Sequence, residues 1–305
     1  MEEIMKVNKF RMFFLALVLM TLGATQALAQ TGTPVYGNIP NPLPPNVPSL
    51  GYQATATSEW GDNVFLGGTQ RRAASAIVTM SDWAKHSDYP TMPAAGFTHP
   101  ITFTIYSVDH SGANPAVGAS LGSVTQSFLI PWRPEADPTC PGGTAWRASN
   151  GQCYNGLAFK IVFDLRGLNL TLPNEIIFGV AYNTNTWGYN PIGQPGPYES
   201  LNVGCANIDG ILGVPPYVGT DAEPDATFWN TAVAGFYSDG GTGGVGTFRR
   251  DTGWTDFAPA VEIRAYTVAN NANGCKNNGW QTLTRGDGST FKNQGDCIQY
   301  VNTGK

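Results

Sequence analysis

Residues 101–106 read Ile-Thr-Phe-Thr-Ile-Tyr, an unbroken alternation of apolar and polar side chains, and a second run follows at 123–130. A strand sends successive side chains to opposite faces. Ile101, Phe103 and Ile105 therefore share one face, and Val124, Phe128 and Ile130 share another. The gap between the runs, 109–115, is built from turn residues. Two alternating runs on either side of such a gap predict an antiparallel hairpin with a long connection. The other apolar runs must then supply strands that pack on or beside this pair.

Several do so on inspection. Residues 52–56 alternate, 60–63 (Trp-Gly-Asp-Asn) read as a turn, and 64–66 form a short strand. Residues 74–80 form the next. Residues 159–165 alternate with Lys160 and Asp164 outward. Residues 176–181 are apolar on both faces, which predicts a central strand. A long loop, 183–200, leads to a short strand at 201–203. Residues 228–237 make a weak strand or pair, and 260–268 the last clear strand, with Val261, Ile263 and Ala265 inward. No stretch shows ten residues of helical periodicity with caps. With 37 Gly, 22 Pro and only 13% charged residues, against roughly 25% in ordinary soluble domains, this pattern predicts an all-β, jelly-roll-like sandwich. Six prolines in 30–50 exclude a helix or a central strand there. That stretch reads as an extended leader or a surface-hugging arm.

The N-terminus carries Lys6, Lys9 and Arg11, then a short apolar run at 12–23, then Ala27-Leu28-Ala29. These are the three parts of a secretory signal peptide cleaved after Ala29. The expected layout is a signal peptide at 1–29, the leader at 30–50, a sandwich domain at 51–269 and a Cys-bounded element at 270–305. Removing the three basic and two acidic residues of the signal from 17 and 22 leaves 14 against 20. No basic patch stands out, so nucleic acid is excluded as a partner. In an oxidising compartment the five cysteines are free to pair. Local pairing of Cys140 with Cys153 and of Cys275 with Cys297 is the simplest connectivity, although spacing alone does not fix it. Cys205 is left over and reads as a buried free thiol.

The segments ITFTIYSVD, GASLGSVTQSFLIPWRP, FDLRGLNLTLPNEIIFGVAYNT and ESLNV together resemble bacterial secreted β-sandwich proteins of the choice-of-anchor or sorting-tag type, over about residues 51–268. The tail from Cys275-Lys276-Asn277-Asn278-Gly279-Trp280 to Phe291-Lys292-Asn293-Gln294-Gly295-Asp296-Cys297 is similar to a C-terminal element, CKNGGW…FKNQGQC, of exported bacterial proteins. Asn278 and Asp296 depart from that pattern. The resemblance implies export and a sandwich; it carries no activity with it.

Three motif matches fail on context. Residues 118–122 fit G-x-S-x-G but lack a strand before Ser120 and a helix after it. Residues 241–246 fit G-x-G-x-x-G with no helix to receive a pyrophosphate. Asp221, Glu223 and Asp225 start like a calcium loop, but the sixth position is Ala226 and the twelfth Ala232. A looser calcium site there competes with a solvated acidic turn. His86, His99 and His110 form no zinc spacing. Asp164, Glu175 and Glu199 are candidate glycosidase carboxylates only by residue type. Trp132, Trp187, Tyr189, Tyr198 and Tyr217 lie in Pro/Gly-rich loops, where aromatic rings suit a sugar face or plug the ends of a sandwich. The expected function is a secreted or cell-surface binding or structural module, with a glycan or another surface component as ligand. The alternative is a secreted hydrolase acting on a polysaccharide. The expected ligand residues are Trp187, Tyr189, Tyr198 and Trp132.

Overall fold

The computed structural model describes residues 32–208, 211–212, 215–255 and 257–305; the expected signal peptide lies outside them. In chain order the strands are β1 (Thr33–Gly37), β2 (Ser49–Gly51), β3 (Thr57–Phe65), β4 (Arg72–Asp82), β5 (Phe97–Asp109), β6 (Ala116–Ile130), β7 (Trp146–Arg147), β8 (Cys153–Tyr154), β9 (Leu157–Asp164), β10 (Glu175–Ala181), β11 (Leu201–Gly204), β12 (Asn207–Ile208), β13 (Ile211–Leu212), β14 (Thr220–Asp221), β15 (Ala226–Thr231), β16 (Arg249–Thr252) and β17 (Val261–Tyr266). Among the described residues there is one α-helix, α1 (Gln294–Thr303).

Two antiparallel sheets form the sandwich. In the first, β4 pairs with β9 along one edge, and with β17 and β11 end to end along the other. β1 lies beyond β17, and β2 beyond β11. The second runs β16-β15-β3-β10-β5-β6, with β14 also on β3. Trp60, Phe103, Phe163 and Phe178 meet between the sheets with Met80, Ile105, Val261 and Ile263, all fully buried. Fully burying one such side chain contributes about 1.5–3 kcal/mol.

The hairpin 101–130 forms as its alternation predicts, but β6 is the outer strand of its sheet. Centrality belongs to β10, whose Ile176, Phe178 and Val180 enter the core while Ile177, Gly179 and Ala181 face outward; all six are buried. Beside it, the residues expected to turn at 60–63 lie mid-strand in β3, and the expected strand at 52–56 is the turn that precedes it. Trp60 and Val64 point into the core and decide the matter.

The expected leader is part of the sandwich. Its ends form β1 and β2, both edge strands, and Pro34 within β1 suits that place. Between them Ile39 and Leu43 cover the outer face of the first sheet at Ile77 and Val162. Both disulfides form, Cys140–Cys153 and Cys275–Cys297, and Cys205 is free and buried. The C-terminal element contains the helix that periodicity did not reveal. Asn293 caps α1 by accepting from the Asp296 N–H, and Gly304 ends it at φ 73°. The element has its own small cluster of Ala269, Cys275, Phe291 and Cys297. It docks on the sandwich through a bridge between Val268 and Thr284 and an Arg72 Nε hydrogen bond to the Gly286 carbonyl (3.3 Å). Among the described residues no helix is long and apolar enough to cross a membrane.

Candidate functional site

The strand register aligns one row of residues across the outer face of the second sheet: Ser123, Thr104, Gly179, Gly61, Phe228 and Arg250, from β6 to β16. The next row reads Thr125, Thr102, Ala181, Glu59 and Asn230. Two adjacent glycines leave a trough in the middle of the face, and Glu59 leans into it. A Cβ on Gly179 would stand 2.0 Å from Glu59 Oε1, so the carboxylate occupies the space that glycine leaves.

Glu59 is only 1% exposed. Tyr106 donates its hydroxyl to Oε1 (2.9 Å), and Tyr189 donates to Oε2 (2.5 Å). Asn230 Nδ2 reaches the Tyr189 hydroxyl (3.4 Å), while Asn230 Oδ1 is buried without a hydrogen-bond partner. Burial pushes the Glu59 carboxyl up from the usual range, and the two phenol donors pull it partly back. Burial and the neighbouring Glu59 charge in turn raise both phenols. Phe248 packs on Tyr106 and Phe228 and closes the side of the trough (centroids 5.4 and 6.1 Å). Towards β6 the face continues as hydroxyl pairs, Thr102 with Thr125 (2.8 Å) and Thr104 with Ser123 (3.0 Å).

Tyr189 arrives on the 183–200 loop, which is held in one shape by its own hydrogen bonds. Thr184 N–H and Oγ1 both reach the Trp187 carbonyl. The Asn190 N–H donates to Asn183 Oδ1 (3.0 Å), and the Ile192 N–H to the Thr184 carbonyl (3.0 Å). Gly188 has φ +117°, a conformation open to glycine, and a Cβ there would strike Asn183 Oδ1. His99 Nε2–H donates to the Asn183 carbonyl (2.9 Å). Desolvation lowers the His99 pKa to about 4, so its ring is neutral in this role. The result is an exposed Tyr189, 56% open to solvent as a residue, whose hydroxyl is tied to a buried carboxyl.

The structure separates the four expected ligand residues into two groups. Tyr198 stacks on His99 (5.3 Å, 15°), and its hydroxyl donates to the Gln194 carbonyl. His99 also contacts Tyr182 and Phe97, and Phe97 contacts Trp132 (5.2 Å). Trp132 stacks against Tyr89 and donates its indole N–H to the Pro93 carbonyl (2.9 Å). Tyr198 and Trp132 thus belong to one ladder of rings at the end of the sandwich. Tyr189 joins Glu59 on the sheet face, and half-buried Trp187 lies in the loop turn, where its carbonyl accepts from Thr184. Tyr217 lies elsewhere, over Gly37, with its hydroxyl on Glu262.

No family model, curated protein or solved structure matches this chain. Its chemistry has to be read from its own side chains. The three acidic residues of the calcium-like stretch have other partners. Asp221 Oδ1 accepts the Glu223 N–H, Glu223 pairs with Arg250 (2.7 Å), and Asp225 accepts the Thr255 hydroxyl. Among the described residues no three His, Cys, Asp or Glu side chains gather as a metal site. Asp164 pairs with Arg166 and Glu175 with His110, while Glu199 Oε2 accepts the Gly196 N–H. Glu59, Tyr106 and Asn230 were not visible as a site in the sequence. The signal that points to them is a carboxylate one residue before Trp60, on the opposite face of the strand from Trp60 and Val64.

Proposed function

We propose that this chain is an exported binding module. Its ligand surface is the 183–200 loop with the adjoining outer face of the second sheet, and its ligand is a neutral sugar. The observation that carries this reading is the exposed Tyr189 ring, oriented by a hydroxyl anchored on buried Glu59. A ring fixed before binding loses little freedom on contact, and its apolar face suits the C–H face of a pyranose. The same loop carries the neutral polar groups Asn190 and Gln194, and the same sheet face carries the Thr102, Thr125 and Ser123 hydroxyls. Export is supported by the signal-like residues 1–29, by the two disulfides and by the resemblance to secreted sandwich proteins.

A glycan array followed by calorimetry on the bound sugar tests the reading. Tyr189→Ala should weaken binding at least about tenfold, while Tyr189→Phe, which keeps the ring, should retain most of it. Absence of any glycan ligand for the parent, or equal affinity in Tyr189→Ala, would overturn the proposal.

A further inference from the structure

A second site lies where the C-terminal element meets the sandwich. A cavity of about 500 Å³ opens at this joint. The sandwich contributes Arg71, Arg72 and Thr171 to its wall, and the C-terminal element contributes Asn270, Gly286 and Tyr300. Among the described residues no carboxylate lines it. Arg71 spends its five N–H groups on neutral oxygens, those of the Asn174 side chain and the Leu66, Gly67 and Gln70 carbonyls. Arg72 is less occupied. Its Nε donates to the Gly286 carbonyl (3.3 Å) and its Nη1 to the Asn169 carbonyl (2.5 Å), while Nη2 has no hydrogen-bond partner among the described residues and is not sealed from solvent. Arg166, Arg249, Arg250, Arg264 and Arg285 each pair with a carboxylate; among the described residues Arg71 and Arg72 do not. Asp287, next to Gly286 in sequence, stands outside the wall and accepts the Ser289 N–H (2.9 Å).

The two sides of the joint converge on one open spot. A Cβ on Gly286 would lie 3.4 Å from the Tyr300 hydroxyl oxygen and 4.0 Å from Arg72 Nη2, and its own chain neighbours aside it would meet nothing else within 4 Å. Tyr300 accepts the Gly286 N–H (2.8 Å), so its own hydroxyl hydrogen remains to be donated. The Thr171 and Thr267 hydroxyls and Asn270 Nδ2, also in the wall, are donors without a partner among the described residues. Two guanidinium charges that no carboxylate answers, together with convergent donors, suit an oxyanion. A neutral ligand would leave both charges unanswered, and a cation would be repelled. We propose that this joint binds a small oxyanion, a carboxylate or phosphate group, with one oxygen at the open spot beside Gly286, within reach of Arg72 Nη2 and the Tyr300 hydroxyl. Arg72 belongs to the sandwich and Tyr300 to the C-terminal element, so the bound anion holds the two together and docking and binding reinforce one another. This site is independent of the sugar surface.

The test uses the full chain with sodium phosphate and sodium acetate as probes and sodium chloride at matched ionic strength as control. Calorimetry measures affinity, and limited proteolysis within 270–274 measures docking of the element. The expected result is saturable 1:1 binding of phosphate or acetate above the chloride background, with slower cleavage when the anion is bound. The tighter of the two probes names the group that is recognised. Gly286→Ala removes no donor, and its methyl makes only ordinary contacts. That variant should melt with the parent and yet bind at least about tenfold more weakly, because the methyl fills the anion's place. Arg72→Gln should lose binding as well; where it loosens the element, Gly286→Ala carries the test. No saturable binding, equal binding of chloride, parent affinity in Gly286→Ala, or binding that leaves cleavage unchanged would each overturn the proposal.

Discussion

Both faces of the β3–β10 pair are largely hidden from water, and they are held by different forces. On the inner face Trp60, Val64, Phe178 and Val180 meet other apolar side chains from both sheets, and fully buried Asp62 is the one carboxyl of the pair on that face. On the outer face Glu59, Asn63 and Asn230 are buried as well, yet what covers them is a loop tyrosine, a neighbouring tyrosine and hydrogen bonds. Apolar packing is indifferent to pH and tolerates no void. The polar face depends on protonation and on one loop staying in place. A sheet can therefore be rigid on one side and adjustable on the other, and the adjustable side is where a ligand can be accommodated.

The contrast predicts a ranking of effects. Phe178→Ala should be the most damaging change, at about 3–5 kcal/mol in denaturant unfolding, because it empties the inner face. Gly179→Ala probes the trough from the other side. Its new methyl would overlap Glu59 Oε1, and about 1–3 kcal/mol of destabilisation is expected. A neutral outcome would mean that the carboxylate is not confined there. Tyr189→Phe should lose about 1–3 kcal/mol, the cost of leaving buried Glu59 Oε2 without its donor, with faster hydrogen exchange at Thr184 and Ile192 as a second readout.

The fourth prediction is smallest at low pH and grows with pH. Glu59 has a folded pKa above its unfolded value. It therefore binds its proton more tightly in the native state, and that stabilisation is present below the unfolded value of about 4.3. It is lost as pH rises through the folded value. Glu59→Gln carries no such titration. Melting curves of parent and variant should lie close together at about pH 4, and the parent should fall behind towards about pH 8. Parallel curves across the range would show that the carboxyl titrates normally.

The same two faces explain what could be read from the sequence. Where a strand is apolar on one or both sides, as in β10, β17 and β9, alternation identified it and gave the facing. The hairpin of β5 and β6 was equally clear, although nothing local indicated its place at the edge. β3 was hidden because Gly61, Asp62 and Asn63 are turn residues by propensity, and only tertiary cover makes them a strand. The stretch 52–56 erred in the opposite direction. Its alternation is real, but Ala56 has φ 52° and the chain turns there. α1 escaped because Cys297 is its one buried side chain, with Ile298, Tyr300 and Val301 only partly buried beside it, and the disulfide does part of the anchoring. Of the site, Tyr189 could be named from its loop. Glu59 could not, since burial of a carboxylate is a property of what covers it.

Cys205 bears on how the molecule is made. Its thiol is fully buried at the end of β11, its amide donates to the Pro48 carbonyl, and burial raises its pKa well above that of a free thiol. In the finished fold it is chemically silent. While the two disulfides form it is a fifth thiol beside the four that must pair, and every pairing that includes it is wrong. Correct oxidation thus becomes a race that collapse around β11 has to win. Once the race is over, the rate at which an added thiol reagent consumes Cys205 serves as a stopwatch for opening of the sandwich.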